Sequence, residues 1–100
     1  MVKVVWTARS LSDIDQIAEY ISKDSIHYAT GVVKRILAIE DHIAKNGNAG
    51  RVVPEFNKNN LREVFEGNYR IVYRIVSSNE IQIITVCHMA RRLVKKYLPE

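Results

Sequence analysis

Cationic side chains and one histidine gather in the C-terminal half of the sequence, and their types define the chemistry open to them. Arg62, Arg70 and Arg74 fall in short β-rich segments, and His88, Arg91 and Arg92 follow at the end of the last one. Guanidinium groups bind phosphates and carboxylates, often bidentately. A histidine titrates near neutrality and can serve as general acid or base. With Glu63 and Tyr97 as further proton-transfer groups, and Arg62, Arg70, Arg91 and Arg92 for charge, the set suffices for metal-free RNA cleavage. That reaction needs an acid, a base and cationic stabilisation of a pentavalent phosphate. A groove that only binds an anionic partner would carry the same residues. The arginines can instead pair with Glu63, Glu66 and Glu80 as surface ion pairs of little energetic weight. That description suits Arg74. Arg70, between Tyr69 and Tyr73 in a half-buried strand, points to a functional or interface role. His88 also has an ordinary alternative, as a strand-end hydrogen-bonding residue.

Other chemistries find little support. His27 and His42 lie on helices at no metal-ligand spacing and read as structural. The single cysteine, Cys87, excludes an internal disulfide and a cysteine-rich zinc site. No phosphate-binding glycine loop, zinc-protease motif or nucleophile elbow is present. No cofactor is expected.

The chain has 100 residues, 47% of them apolar and 26% charged, which predicts one globular domain over 1–100. A core of this size is modest, so stability is marginal without a partner. No apolar run is long enough to span a membrane, and the first residues do not read as a signal peptide. These features predict a cytoplasmic protein. The net charge is +4. Residues 88–98 hold four basic residues and no acid; without them and Glu100, 11 of the 15 basic residues face 10 of the 11 acidic ones. The excess charge therefore sits in the tail, where Arg92, Lys95, Lys96 and Tyr97 are candidate contacts to a nucleic acid or an acidic partner. A solvated tail complementing a helix dipole explains the same charges.

The elements that must position these residues follow from periodicity. Val2 to Trp6 is short and β-branched and predicts a strand. Thr7 caps a helix whose apolar stripe is Leu11, Ile14, Ile17, Ala18 and Ile21. Asp24 or Ser25 caps a second helix, with Ile26, Ala29, Val32, Val33, Ile36, Leu37, Ile39 and Ile43 on its stripe. Gly47 suits a left-handed C-terminal cap. So short a break between helices predicts an antiparallel hairpin. Residues 49–60, with Pro54 and three Asn, read as a long loop. Leu61–Phe65 is a short strand, and Gly67 with Asn68 forms a hairpin turn. Tyr69–Val76 alternates, with Tyr69, Ile71, Tyr73 and Ile75 on one face and Arg70, Val72 and Arg74 on the other. Ile81–Cys87, apolar on both faces, is a central strand. Ala90–Leu98 reads as a short helix or tail. The order β-α-α-β-β-β predicts an α+β fold, a helix hairpin on one face of an antiparallel sheet. The opposite face then forms an open groove carrying some of Arg62, Arg70, Arg74 and His88.

In this order, several motifs resemble the RelE/ParE superfamily of toxins from type II toxin–antitoxin pairs. They are Val5-Trp6-Thr7-Ala8, Gly50-Arg51-Val52-Val53-Pro54-Glu55, Leu61-Arg62-Glu63, Gly67-Asn68-Tyr69-Arg70-Ile71-Val72-Tyr73-Arg74 and Val86-Cys87-His88-Met89-Ala90-Arg91-Arg92-Leu93. The resemblance covers nearly the whole chain. It implies the fold just described, a cognate antitoxin that wraps the toxin, and growth arrest by the free protein. Operator DNA would be met only through the antitoxin. RelE-like members cleave mRNA in the ribosomal A site; ParE-like members poison DNA gyrase.

Residue by residue, the resemblance places Arg70 at the arginine used on the scissile phosphate and Arg62 near a catalytic lysine. A second lysine would fall at Val64 and a further arginine at Met89, with Arg91 two residues on. The C-terminal catalytic tyrosine has its nearest counterpart in Tyr97, and His88 can compensate for missing groups. Arg70, Arg62, His88 and Arg91 are therefore the catalytic candidates. Arg74 joins the target-binding set, and Arg70, Tyr73 and Arg91 are expected to meet the antitoxin. On this reading ribosome-dependent mRNA cleavage leads narrowly. Gyrase inhibition is the alternative, and a non-toxic module that only co-represses with the antitoxin is the third.

Overall fold

Two hydroxyl side chains set the helices. Thr7 Oγ1 accepts from the Ser10 N–H at 3.1 Å, and Ser25 Oγ accepts from the Tyr28 N–H at 3.0 Å. Each satisfies a donor that the first helical turn leaves orphaned. In a computed structural model that describes residues 2–94 and Lys96, the order is β1 (Lys3–Trp6), α1 (Ala8–Ser22), α2 (Ile26–Asn46), a 3-10 turn (Gly47–Ala49), β2 (Arg51–Val52), β3 (Leu61–Glu66), β4 (Tyr69–Ser77) and β5 (Glu80–His88). No described helix is long and apolar enough to cross a membrane.

The helix hairpin on a sheet is as the periodicity predicts, and β3, β4 and β5 form the expected antiparallel meander. The whole sheet has five strands in the order β1-β5-β4-β3-β2 and is mixed. β1 pairs parallel to β5, because the helix hairpin carries the chain to the far edge and the meander brings it back. The segment read as one loop contains the short edge strand β2, with Arg51 opposite Glu63. Where β1 stops at Trp6, side chains take over the edge of β5. Thr7 Oγ1 donates to the Ile84 carbonyl at 3.0 Å, and Asp13 Oδ2 accepts from the Thr85 hydroxyl at 2.5 Å and the Val86 N–H at 3.1 Å. A register shift between Val72 and Tyr73 lies at the same level.

The main core lies between helices and sheet. Ile14, Val32, Ile36 and Ile43 meet Ile71, Tyr73, Ile81, Ile83 and Val86. The opposite face is not the open groove that the alternation suggested. Val53, Leu61, Val72, Ile84, Cys87 and Leu93 form a second, smaller core there, with Phe56 against it. Val53–Asn57 folds over this face as a closed turn: the Asn57 N–H donates to the Val53 carbonyl at 2.9 Å, and Asn57 takes a left-handed φ of 49°. From Arg91 to Val94 the chain has no regular secondary structure and lies over the same face through Leu93, so the expected short helix does not form in this part of the tail.

Two glycines are there for space. Gly47 is right-handed at φ −55°, not the left-handed cap its type suggested. A Cβ on it would lie 2.7 Å from Ile81 Cδ1. Gly50 is extended, and a Cβ there would run into the Tyr73 hydroxyl and lie 3.1 Å from the Glu63 carbonyl. The Tyr73 hydroxyl donates to the Gly47 carbonyl at 2.5 Å, so one phenol fixes the turn from α2 into β2. Gly67, by contrast, is needed for conformation, with φ 58° in the β3–β4 turn. Gly50→Ala is expected to destabilise by about 2 kcal/mol despite a tolerant backbone, as overpacking does. In urea titrations Gly50→Ala with Tyr73→Phe should cost less than the sum of the single changes. Strict additivity would place the clash elsewhere.

Candidate functional site

Arg70 is 4% exposed and makes five side-chain hydrogen bonds. Its Nε and Nη2 reach Glu63 Oε1 at 2.9 and 2.5 Å. Nη1 and Nη2 reach Glu55 Oε2 and Oε1 at 2.7 and 2.9 Å. Nη1 also donates to the Arg91 carbonyl at 2.9 Å. A guanidinium has five N–H groups, so none remains for a phosphate. β3 and β4 build part of this arrangement by register. Phe65 stands opposite Arg70 and Glu63 opposite Val72, which puts Glu63 and Arg70 on one sheet face, a diagonal apart. The ion pair with Glu63 that the sequence allowed does form, but buried and not at the surface. Glu63 Oε2 takes Arg51 Nε and Nη2 at 2.8 and 2.5 Å. Two arginines thus offset two glutamates, as charges inside a protein require. Arg70 holds the Glu55 carboxyl down at about 2, with the Leu93 N–H adding to the effect. That N–H donates to Glu55 Oε2 at 3.0 Å, tying the tail to the cluster.

The other candidates separate. Arg62 clamps the loops: Nε donates to the Asn59 carbonyl at 2.7 Å, Nη2 to Asn59 Oδ1 at 2.8 Å, and Nη1 to the Asn48 and Gly50 carbonyls at 2.8 and 3.0 Å. Arg74 donates to Gln82 Oε1 at 2.8 Å across to β5. Tyr73 is 0% exposed and offers no surface to an antitoxin in this fold. Arg70 has equally little to offer.

His88 and Arg91 do come together. They line a groove of about 400 Å³ with Asp13, Gln16 and Tyr20 of α1 and with Tyr69 of β4. His88 Nδ1 accepts from the Ala90 N–H at 3.1 Å, and the ring meets Tyr69 edge-on at 6.2 Å and 78°. Burial pushes the Tyr69 hydroxyl up, and Tyr28 and Tyr20 nearby add to it. Arg92 and Lys96 are exposed outside the groove lining. Lys95 and Tyr97, both target-binding candidates, lie outside the described residues. Sequence reasoning missed Asp13, Gln16, Tyr20, Tyr69 and Glu55 as site residues. Glu55 carried one signal, an acid set between Val53-Pro54 and Phe56, in a segment otherwise fit for burial. Tyr20 carried none, since it lies off the apolar stripe of α1.

The cluster has a pH signature. The Glu55 carboxyl is depressed from 4.5 to about 2. Its contribution is therefore present above the unfolded value and is lost as pH falls from about 4.5 towards about 2. Glu55→Gln is expected to cost about 3 kcal/mol at neutral pH, because Arg70 keeps its burial and loses part of its compensation. Denaturant titrations across this range should show wild type and variant converging as pH drops. A constant gap would mean that Glu55 does not ionise against Arg70.

Comparison with known proteins agrees with this architecture. Residues 4–93 match the model of a family described as ParE toxin of type II toxin–antitoxin systems. Y4kP of Sinorhizobium fredii, named as a toxin, is 35% identical over 91 residues, covering 86% of this chain and 86% of that protein. Toxin RelE2 of Caulobacter vibrioides is 29% identical over 91 residues, covering 91% of this chain and 99% of the relative. In fold, the chain superposes on a chain of the chromosomal ParDE system of Pseudomonas aeruginosa with a TM-score of 0.72 at 21% identity, covering 88% of this chain and 96% of that one. The toxin–antitoxin complex RelBE2 of Mycobacterium tuberculosis gives 0.55 at 18%, covering 87% and 96%. With a family match over almost its entire length and a relative above 30% identity, this chain belongs to the ParE toxin family, within the RelE/ParE superfamily, and is a toxin of a type II toxin–antitoxin system.

Proposed function

We propose that this toxin arrests growth by binding DNA gyrase, without RNA chemistry. The observation that carries the reading is the state of Arg70. The arginine that a ribosome-dependent ribonuclease would use on the scissile phosphate spends its N–H groups on Glu55, Glu63 and the Arg91 carbonyl. Arg62, near the position of a catalytic lysine, is engaged with Asn48, Gly50 and Asn59. Val64 and Met89 stand where further cations would be needed. General acid–base catalysis requires its groups within reach of one reacting phosphate. His88 and Arg91 share the α1-side groove, whereas Arg70 is buried on the opposite side of the sheet among the residues around Leu93.

A cognate antitoxin is the second partner in this proposal. The contacts expected at Arg70 and Tyr73 move elsewhere, because both are buried. Apolar ground runs along the helix hairpin, where Ala18, Ile26 and Val33 line a groove and Ile26 is 74% exposed. An amphipathic antitoxin helix fits such a groove. The protein acts in the cytoplasm, where gyrase and its DNA are found.

The test sets two reconstituted reactions side by side. Purified toxin is expected to inhibit gyrase supercoiling, to accumulate cleaved DNA, and to leave mRNA 5′ ends unchanged in cell-free translation. New ribosome-dependent 5′ ends at codon boundaries, with supercoiling intact, would overturn the gyrase reading in favour of mRNA cleavage.

A further inference from the structure

We propose that the groove between α1 and the ends of β4 and β5 binds an unpaired nucleotide of a nucleic-acid strand, its base against Tyr20 and Tyr69 and its phosphate towards His88 and Arg91. The inference does not depend on gyrase as target, since it concerns what the toxin itself can hold. The groove measures about 400 Å³, within the range of about 300–1,000 Å³ that small-molecule sites occupy.

Its lining divides by chemistry. Tyr20 is 73% exposed, a large aromatic side chain of α1 that the fold leaves uncovered although it borders the groove. Tyr69 supplies a second ring from β4. Strand-binding proteins combine such stacking faces with cations that follow the backbone. The cation Arg91 and the N–H donor His88 come from one short turn with a fixed backbone. The Arg91 N–H donates to the His88 carbonyl at 3.0 Å, and the Arg91 carbonyl accepts from the buried Arg70 at 2.9 Å. The buried cluster therefore anchors the turn that presents His88 and Arg91. Because His88 Nδ1 accepts from the Ala90 N–H, the neutral ring carries its proton on Nε2, as a donor.

Gln16 adds an amide, able to donate and accept, on the α1 wall. Asp13 is the one acid in the lining, and its Oδ2 is already engaged by Thr85 and Val86. An acidic peptide would satisfy Arg91. Two tyrosyl rings and an amide edge match a planar heterocycle with hydrogen-bonding edges better. The net charge of +4 brings an anionic strand to the surface in the first place.

Fluorescence anisotropy on the full chain tests the assignment, with labelled oligothymidylate and an abasic phosphodiester strand of equal length at low salt. The oligothymidylate is expected to bind at least about fivefold more tightly than the abasic strand, the lower end of what one stacked base contributes. Tyr20→Ala should abolish that difference, and its exposure makes unfolding no explanation. Arg91→Ala should weaken both strands, while Lys58→Ala, on the exposed loop away from the groove, should change neither. Equal affinity for the two strands would reduce the site to tail electrostatics and overturn the proposal. So would an unchanged Tyr20→Ala or no binding to either strand.

Discussion

A guanidinium removed from water must find an acceptor for each N–H, and that requirement at Arg70 organises one side of the molecule. The sheet register supplies only Glu63. The remaining acceptors must come from outside the strands, and they do: the Glu55 carboxylate from the loop and the Arg91 carbonyl from the tail. Loop and tail are therefore pulled onto the same face, and their apolar residues, Val53, Phe56 and Leu93, close over it as the second core. Arg51 then takes the second carboxylate oxygen of Glu63. Burial of the cluster and burial of the small core require each other. Apolar cover without the acids would strand a cation, and the acids without cover would form an ordinary surface ion pair.

The elements of local origin were legible in the sequence. Thr7 and Ser25 cap their helices because their chemistry and position relative to the apolar stripes leave little else for them to do. The alternation of Tyr69 to Ile75 gives the two faces of β4 correctly, since a strand has only two. What escaped depends on contacts distant in sequence. The parallel pairing of β1 with β5 is decided by where the meander returns, and no local pattern encodes it. Arg70 showed itself as a half-buried cation, yet its partner Glu55 lies 15 residues earlier, beyond any periodicity. Gly47 misled because its type suggests a left-handed cap, whereas the constraint is the space taken by Ile81.

The two faces of the sheet separate the arginines and His88. On the face of the second core, Arg70 is consumed by structure, and at the loops Arg62 closes turns. At the α1 side, His88 and Arg91 stand in an accessible groove beside aromatic rings. The sequence places all of them within a short stretch, so they read as one catalytic set. The pleat and the burial of Arg70 separate them.

That separation changes how substitutions at Arg70 should be understood. Truncating it leaves two buried carboxylates without their main compensation and releases the Arg91 carbonyl. Breaking a buried pair in this way costs about 3–5 kcal/mol, a large share of the roughly 5–15 kcal/mol that holds a small domain folded. Loss of toxicity on truncation would therefore report loss of fold as readily as loss of chemistry. Tyr20 in the groove carries no such ambiguity, because it is 73% exposed and its side chain can be removed without opening either core. The buried cluster fixes the geometry of that surface through the Arg91 backbone while its own side chains stay on the other side of the sheet.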